Sequence, residues 1–178
     1  MCIRDRNIPD YQDLLHLQLP GDGAYAVALF PRQREEAPPV FTAFADGSVT
    51  KVAGAFGTDY AFLSLDPVEA KADDATFRGT AGSVQERAAF TILVLPVEGS
   101  VAFKGYALAA SMAASLRAQK DSVIVAFTAG HQGGDVTIDA PGAWKVDTDG
   151  AAKLARNGKG QWVLTVPAGT KSLKLVKR

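Results

Sequence analysis

Cysteine occurs once in the 178 residues, at Cys2, and histidine only twice, at His16 and His131. A single cysteine forms no intrachain disulfide and supplies no cysteine-based zinc site, and two histidines far apart in the chain make no local metal box. Charge of one sign is also missing: 19 Lys and Arg stand against 19 Asp and Glu, scattered rather than striped. There is then no net field to draw the chain to a phosphate backbone, and nucleic acid is not expected as a partner. Long apolar runs are absent too. The longest, Phe90 to Val97, is interrupted by Thr91 and Pro96 and falls far short of the roughly 20 residues of a spanning helix, so no membrane partner is expected.

What is present is globular composition, 47% hydrophobic and 21% charged, punctuated by 17 glycines and 9 prolines. A chain of this length can bury a core without disulfide or metal. The organising stretch is Val49 to Leu65, VTKVAGAFGTDYAFLSL. Two runs with apolar positions on one face flank Gly54-Ala55-Phe56-Gly57-Thr58-Asp59, where two glycines are free to take positive φ and an Asp and a Thr can bond their own backbone. This is hairpin grammar, and it repeats.

Strands are predicted over 14–19, 24–30, 40–45, 68–72, 75–78, 83–87, 89–95, 100–104, 122–129, 134–139, 144–147, 152–156, 161–166 and 172–176. Between them lie turn signals such as Asp46-Gly47, Asp66-Pro67, Asp73-Asp74, Gly79-Thr80-Ala81-Gly82, Gly130 to Gly134 and Asn157 to Gly160. Tyr106 to Lys120 reads two ways. Leu108, Met112 and Leu116 fall four apart as on a helix, yet Ser111 to Arg117 also alternates; a strand over 114–119 is favoured. The expectation is an all-β chain, an antiparallel β-sandwich of many short strands: an irregular segment over 1–13, then one domain over 14–178.

Met1-Cys2-Ile3-Arg4-Asp5-Arg6 resembles translated sequencing-adapter read-through at the ends of metagenomic reading frames, which would make 1–6 artefactual and the true protein longer toward its N-terminus. Tyr25 to Arg32 (YAVALFPR), Asp46-Gly47 with Lys51-Val52, Gly57 to Leu63 (GTDYAFL) and Gly82 to Arg87 (GSVQER) together resemble the C-terminal β-sandwich of heparinase II/III-like polysaccharide lyases, over roughly 14–178. That resemblance implies an acidic polysaccharide as ligand of the parent protein, an extracellular or periplasmic setting, and a preceding helical catalytic domain as partner. Lyase chemistry needs a Tyr or His to move the proton beside the uronate carboxyl and a polar group to neutralise that carboxylate. In the family this machinery lies largely on the helical domain, so no catalytic residue is carried over.

The residues themselves offer little chemistry. His16, in an apolar strand, and His131, in a glycine-rich turn, read first as structural and solvated positions. GHQGG at 130–134 lacks the Lys-Ser/Thr ending and the following helix of a phosphate loop. Gly21-Asp22-Gly23 lacks the spaced carboxylates of a calcium loop, and Ser64, Ser83 and Ser111 have no nucleophile-elbow context. Glu35-Glu36 and Asp73-Asp74 are adjacent pairs of the kind found in solvated turns. No catalytic, cofactor or metal residue is assigned, and no cofactor is expected. Tyr60, His131, Trp144 and Trp162 are the glycan-contact candidates, with Tyr25 a further aromatic; core packing is the favoured reading of the aromatics. The functional expectation is a non-catalytic, structural or docking domain of a larger lyase-like protein. The alternatives are an autonomous carbohydrate-binding or adhesion module and, least favoured, a self-sufficient enzyme.

Overall fold

The computed structural model describes residue 35 and residues 37–147 and 152–178. The strands expected over 14–19 and 24–30, His16, Tyr25 and the hexapeptide at 1–6 lie outside the described residues. The described chain is all-β: fourteen strands, one 3-10 turn at Ala45–Gly47 and no α-helix. The strands are β1 (Val40–Phe44), β2 (Val49–Gly54), β3 (Gly57–Ala72), β4 (Ala75–Glu86), β5 (Thr91–Leu95), β6 (Gly99–Phe103) and β7 (Tyr106–Ala110). They continue with β8 (Ala114–Ala118), β9 (Ser122–Phe127), β10 (Gly134–Asp139), β11 (Trp144–Val146), β12 (Lys153–Arg156), β13 (Trp162–Val166) and β14 (Ser172–Lys177). The ambiguous 106–120 stretch is thus two strands. Its inward positions, Leu108, Ala110, Ala114, Leu116 and Ala118, are buried at period 2, and tertiary packing overrides the helix propensity of its alanines.

Three turn assignments change. The opening hairpin closes on Ala55-Phe56 alone, with Gly54 paired to Gly57, because an antiparallel pair needs only two residues to reverse direction. Asp66-Pro67 and the Gly79 to Gly82 segment are not ends of strands. Both lie within β3 and β4, which run on as one long antiparallel pair with a register shift between Leu63 and Val68.

All pairings are antiparallel and join the strands into one sheet, in the order β11-β14-β9-β8-β5-β4-β6-β7-β10-β13-β12, with β3, β2 and β1 branching from β4. The branch has a simple cause. The C-terminal half of β4 pairs with β5 through 83–86, whereas its N-terminal half pairs with β6 through 75–79. Glycine marks the crossing, since a Cβ on Gly82 would lie 2.6 Å from the Phe77 ring.

The sheet turns over itself at this point. Tyr60 and Asp73 sit 13 residues apart on one hairpin arm, a path of about 43 Å if fully extended at ~3.3 Å per residue. Yet the Tyr60 hydroxyl donates to an Asp73 carboxylate oxygen at 2.9 Å, so β3 must double back where Ser64 to Pro67 bulge outward. The result is a nearly closed, barrel-like wrap around one hydrophobic cluster running from Val49 to Leu175, with no buried polar or charged residue among the described ones.

Candidate functional site

Alternation along the strands gives each part of the sheet an inner and an outer side. The outer side built from the far halves of β3 and β4 with β6, β7 and β10 carries a trough of about 500 Å³. Its cross-strand rows follow from register. One runs Glu69–Arg78–Ser100–Ala109–Thr137, and the other runs Lys71–Thr76–Ala102–Ala107–Asp139. Both rows have long or charged residues at the β3–β4 side, small residues on the two middle strands and polar residues at β10. The concavity is that size pattern: alanine and serine make a floor, and longer side chains stand as walls.

Of the wall residues, Glu69 and Arg78 form an ion pair at 3.5 Å with both side chains more than three-quarters exposed, a contact worth under about 1 kcal/mol. Gln161 closes one end and shares a hydrogen bond with Asn157 at 3.3 Å. Lys71, Thr76, Ser100, Thr137 and Asp139 line the trough, and their side chains make no hydrogen bond or ion pair with other described residues.

The outer side of the other half of the sheet differs. Inward Tyr60, Phe62, Leu93, Leu95, Val123 and Val125 are buried, which turns Ala61, Leu63, Ile92, Val94, Ile124 and Ala126 outward at intermediate burial, in rows shared with Ser83 and Gln85 of β4 and Ser115 and Arg117 of β8. A shallow hollow of about 240 Å³ beside Val94, Pro96, Ala113 and Phe127 continues this apolar side, and Leu65, on the β3 bulge, is 73% exposed.

A charged network closes the wrap at one end. Asp73, at the tip of the β3–β4 hairpin with φ +50°, accepts from Lys51 Nζ at 2.6 Å and from the Tyr60 hydroxyl. Lys104, at the β6–β7 tip, is paired with Glu86. Asp59 accepts from both terminal nitrogens of Arg87, one of them at 3.0 Å. The hydrogen bond from Lys51, then that from Tyr60, holds the Asp73 carboxyl below its ordinary value. Burial, then the hydrogen bond to Asp73 and its charge, pushes the Tyr60 phenol far above its own, while the Glu86 hydrogen bond raises Lys104. These hydrogen bonds tie the hairpin tip at Asp73 to Lys51 of β2 and to Tyr60 of β3.

None of the four glycan-contact candidates lines the trough. Tyr60, Trp144 and Trp162 are 4%, 2% and 7% exposed and belong to the core. The Trp144 indole N–H donates to the Ala140 carbonyl at 3.3 Å, and the Arg156 guanidinium covers the Trp162 ring at 4.4 Å. His131 is half-buried against Phe127. Its Nε2 lies 2.7 Å from the Thr170 carbonyl oxygen, and its Nδ1 accepts the Gly133 N–H at 3.0 Å. This is a loop clasp with both ring nitrogens engaged. The aromatics therefore form no shared platform, whereas residues with no motif around them, Lys71, Thr76, Arg78, Ser100, Thr137 and Asp139, are brought together by register. The one signal for them in the sequence is the polar alternation within each strand.

Among the described residues no group of three or more His, Cys, Asp or Glu side chains is placed to hold a metal ion. No protein-family model matches this chain, and neither does a curated protein or a solved structure.

Proposed function

We propose that this chain is a non-catalytic β-sandwich domain of a larger, polysaccharide lyase-like protein, with a structural role: docking against the catalytic domain that acts on an acidic glycan. In this reading the wrapped sheet is a sandwich of two layers that share the bent β3–β4 hairpin as their common edge. The observation that supports the docking role is the set of apolar side chains that β3, β5 and β9 turn outward, interleaved with Ser83 and Gln85 of β4 and Ser115 and Arg117 of β8. There Leu63, Ile92, Val94 and Ile124 are half-buried and face outward. Half-exposed apolar side chains spread over adjacent strands are the mark of a surface that is covered in its working state. The charged network is structural in this reading, its carboxylates engaged by lysine and arginine.

The experiment recovers the genomic reading frame around this chain and co-expresses the chain with any domain that frame encodes before Asn7; a frame that encodes none defeats the reading. Wild-type chain is expected to co-purify with a helical partner, and the Val94→Asp, Ile124→Asp double variant to lose that partner while keeping its own unfolding midpoint within a few degrees. The chain alone is expected to leave uronate polysaccharides uncleaved, read by the ultraviolet absorbance of the unsaturated product. Cleavage by the isolated chain, or undiminished co-purification of the double variant, defeats the docking assignment.

A further inference from the structure

The trough on the outer side of the β6, β7 and β10 half of the sheet has its own chemistry, and nothing in the docking role uses it. We propose that it is a binding site for a short, uncharged oligosaccharide. The argument rests on which ligand groups its walls can satisfy. The strands beneath it, β4, β6, β7 and β10, are each paired on both sides. Their backbone groups are consumed by the ladders, so a peptide lying on this floor has no strand edge to join; the Val68–Ala72 part of β3, which among the described residues pairs with β4 alone, directs its remaining backbone groups along the sheet and away from the floor. The side chains that remain are hydroxyls (Thr76, Ser100, Thr137), one ammonium (Lys71), one carboxylate (Asp139) and the exposed Arg78–Glu69 pair.

The titratable residues of the lining are two cations, Lys71 and Arg78, and two anions, Glu69 and Asp139. With two charges of each sign in the lining, a polyanion gains no net attraction on entering: what Lys71 and Arg78 offer it, Asp139 and Glu69 oppose. A nucleobase would meet no aromatic wall, since the only aromatic in the lining is Phe77, whose side chain points to the core at 4% exposure.

A sugar hydroxyl both donates and accepts, so one chemical group meets every wall: it accepts from Lys71, donates to Asp139 and does either with Thr76, Ser100 and Thr137. The axial C–H face of a ring has the methyls of Ala102, Ala107 and Ala109 to rest on. The floor spans β4 to β10, three strand spacings or about 14 Å, and the volume falls within the ~300–1,000 Å³ of small-molecule sites. Without a stacking aromatic, recognition is by hydrogen bonds to a shaped surface, so binding is weak and specificity lies in the hydroxyl pattern.

The test is titration of the full 178-residue chain with cellotetraose, maltotetraose and mannotetraose, three neutral chains of different ring presentation, and with tetragalacturonate as charged comparator, followed by backbone amide chemical shifts. Saturable shifts are expected for at least one neutral tetrasaccharide at Ser100–Ala102, Ala107–Ala109 and Thr137–Asp139. Asp139→Ala is expected to weaken it about tenfold, and Ala107→Leu, which fills the floor from the solvent side, by at least as much. Both variants should retain the parent's amide pattern elsewhere. The assignment is overturned if tetragalacturonate binds more tightly than every neutral chain, if shifts cluster on the Ile92 and Val94 side, if Asp139→Ala binds like the parent, or if no neutral tetrasaccharide saturates. Because the site and the docking face lie on the outer sides of different halves of the sheet and share no residue, loss of one result leaves the other standing.

Discussion

Replacing Gly57 by alanine tests the joint on which the long hairpin hangs. Gly57 has φ +123°, and a Cβ built there would lie 2.1 Å from the carbonyl oxygen of Glu86 and 3.2 Å from its carbon. Two costs follow. The left-handed φ strains any residue with a Cβ by about 1–3 kcal/mol. The overlap, over 1 Å inside ordinary contact, must be relieved by moving backbone, because the atom struck is a main-chain oxygen in the ladder that pairs Thr58 with Glu86. Moving it also disturbs the Arg87–Asp59 pair next door. The sum is about 3 kcal/mol or more, a shift of roughly 6–12 °C for a domain of this size. Gly169→Ala is the control: its φ is +73° with nothing within 4 Å of the added carbon, so it reports conformational strain without collision. Thermal and urea unfolding of both variants separates the two effects. Equal destabilisation by Gly57→Ala and Gly169→Ala, within about 0.5 kcal/mol, would refute the close approach of β3 to Glu86.

Phe62→Ala should cost about 3–5 kcal/mol through an unfilled cavity, since Phe62 is buried and stacked on Phe77 at 4.8 Å; a change under 1 kcal/mol in the urea midpoint would place the ring outside the core. Asp73, held below its ordinary 3.8 by Lys51 and Tyr60, contributes stability that is present above its unfolded value and lost as pH falls through its folded one. Asp73→Asn should therefore be destabilising at pH 7 and nearly neutral at pH 2, as read from paired urea melts. Tyr60 has the opposite sign. Its raised phenol contributes stability that is present below about 10 and lost at higher pH, so Tyr60→Phe should flatten the alkaline limb of the stability profile. His131→Ala removes both loop contacts and should cost about 1–2 kcal/mol, with faster hydrogen exchange of the Gly133 amide as its local signature.

The amino-acid sequence by itself determined the class of structure and most strand positions. Period-2 alternation is a local property, set by a pleat that turns successive side chains to opposite faces, so 134–139 and 172–176 read as strands before any partner is known. It also determined which aromatics go inside, because Trp144, Trp162 and Tyr60 sit in phase with their apolar neighbours. Glycine at 57 was legible for the same reason, as a turn-bounding residue whose freedom in φ is intrinsic. Tertiary structure alone decided the rest. Gly79 to Gly82 looks like a turn along the chain, and only the two partners of β4, β5 on one half and β6 on the other, make it a crossing within a strand. Tyr60 and Asp73 meet because β3 doubles back, and no local pattern encodes where a strand bends when its partners lie far away in the chain. The trough is the extreme case. Lys71, Thr76, Ala102, Ala107 and Asp139 form a single row only through three inter-strand registers and one hairpin, and a one-residue slip in any of them would turn that strand's polar set into the core. The row is a property of pairing, which is non-local, whereas the alternation that makes each strand is not.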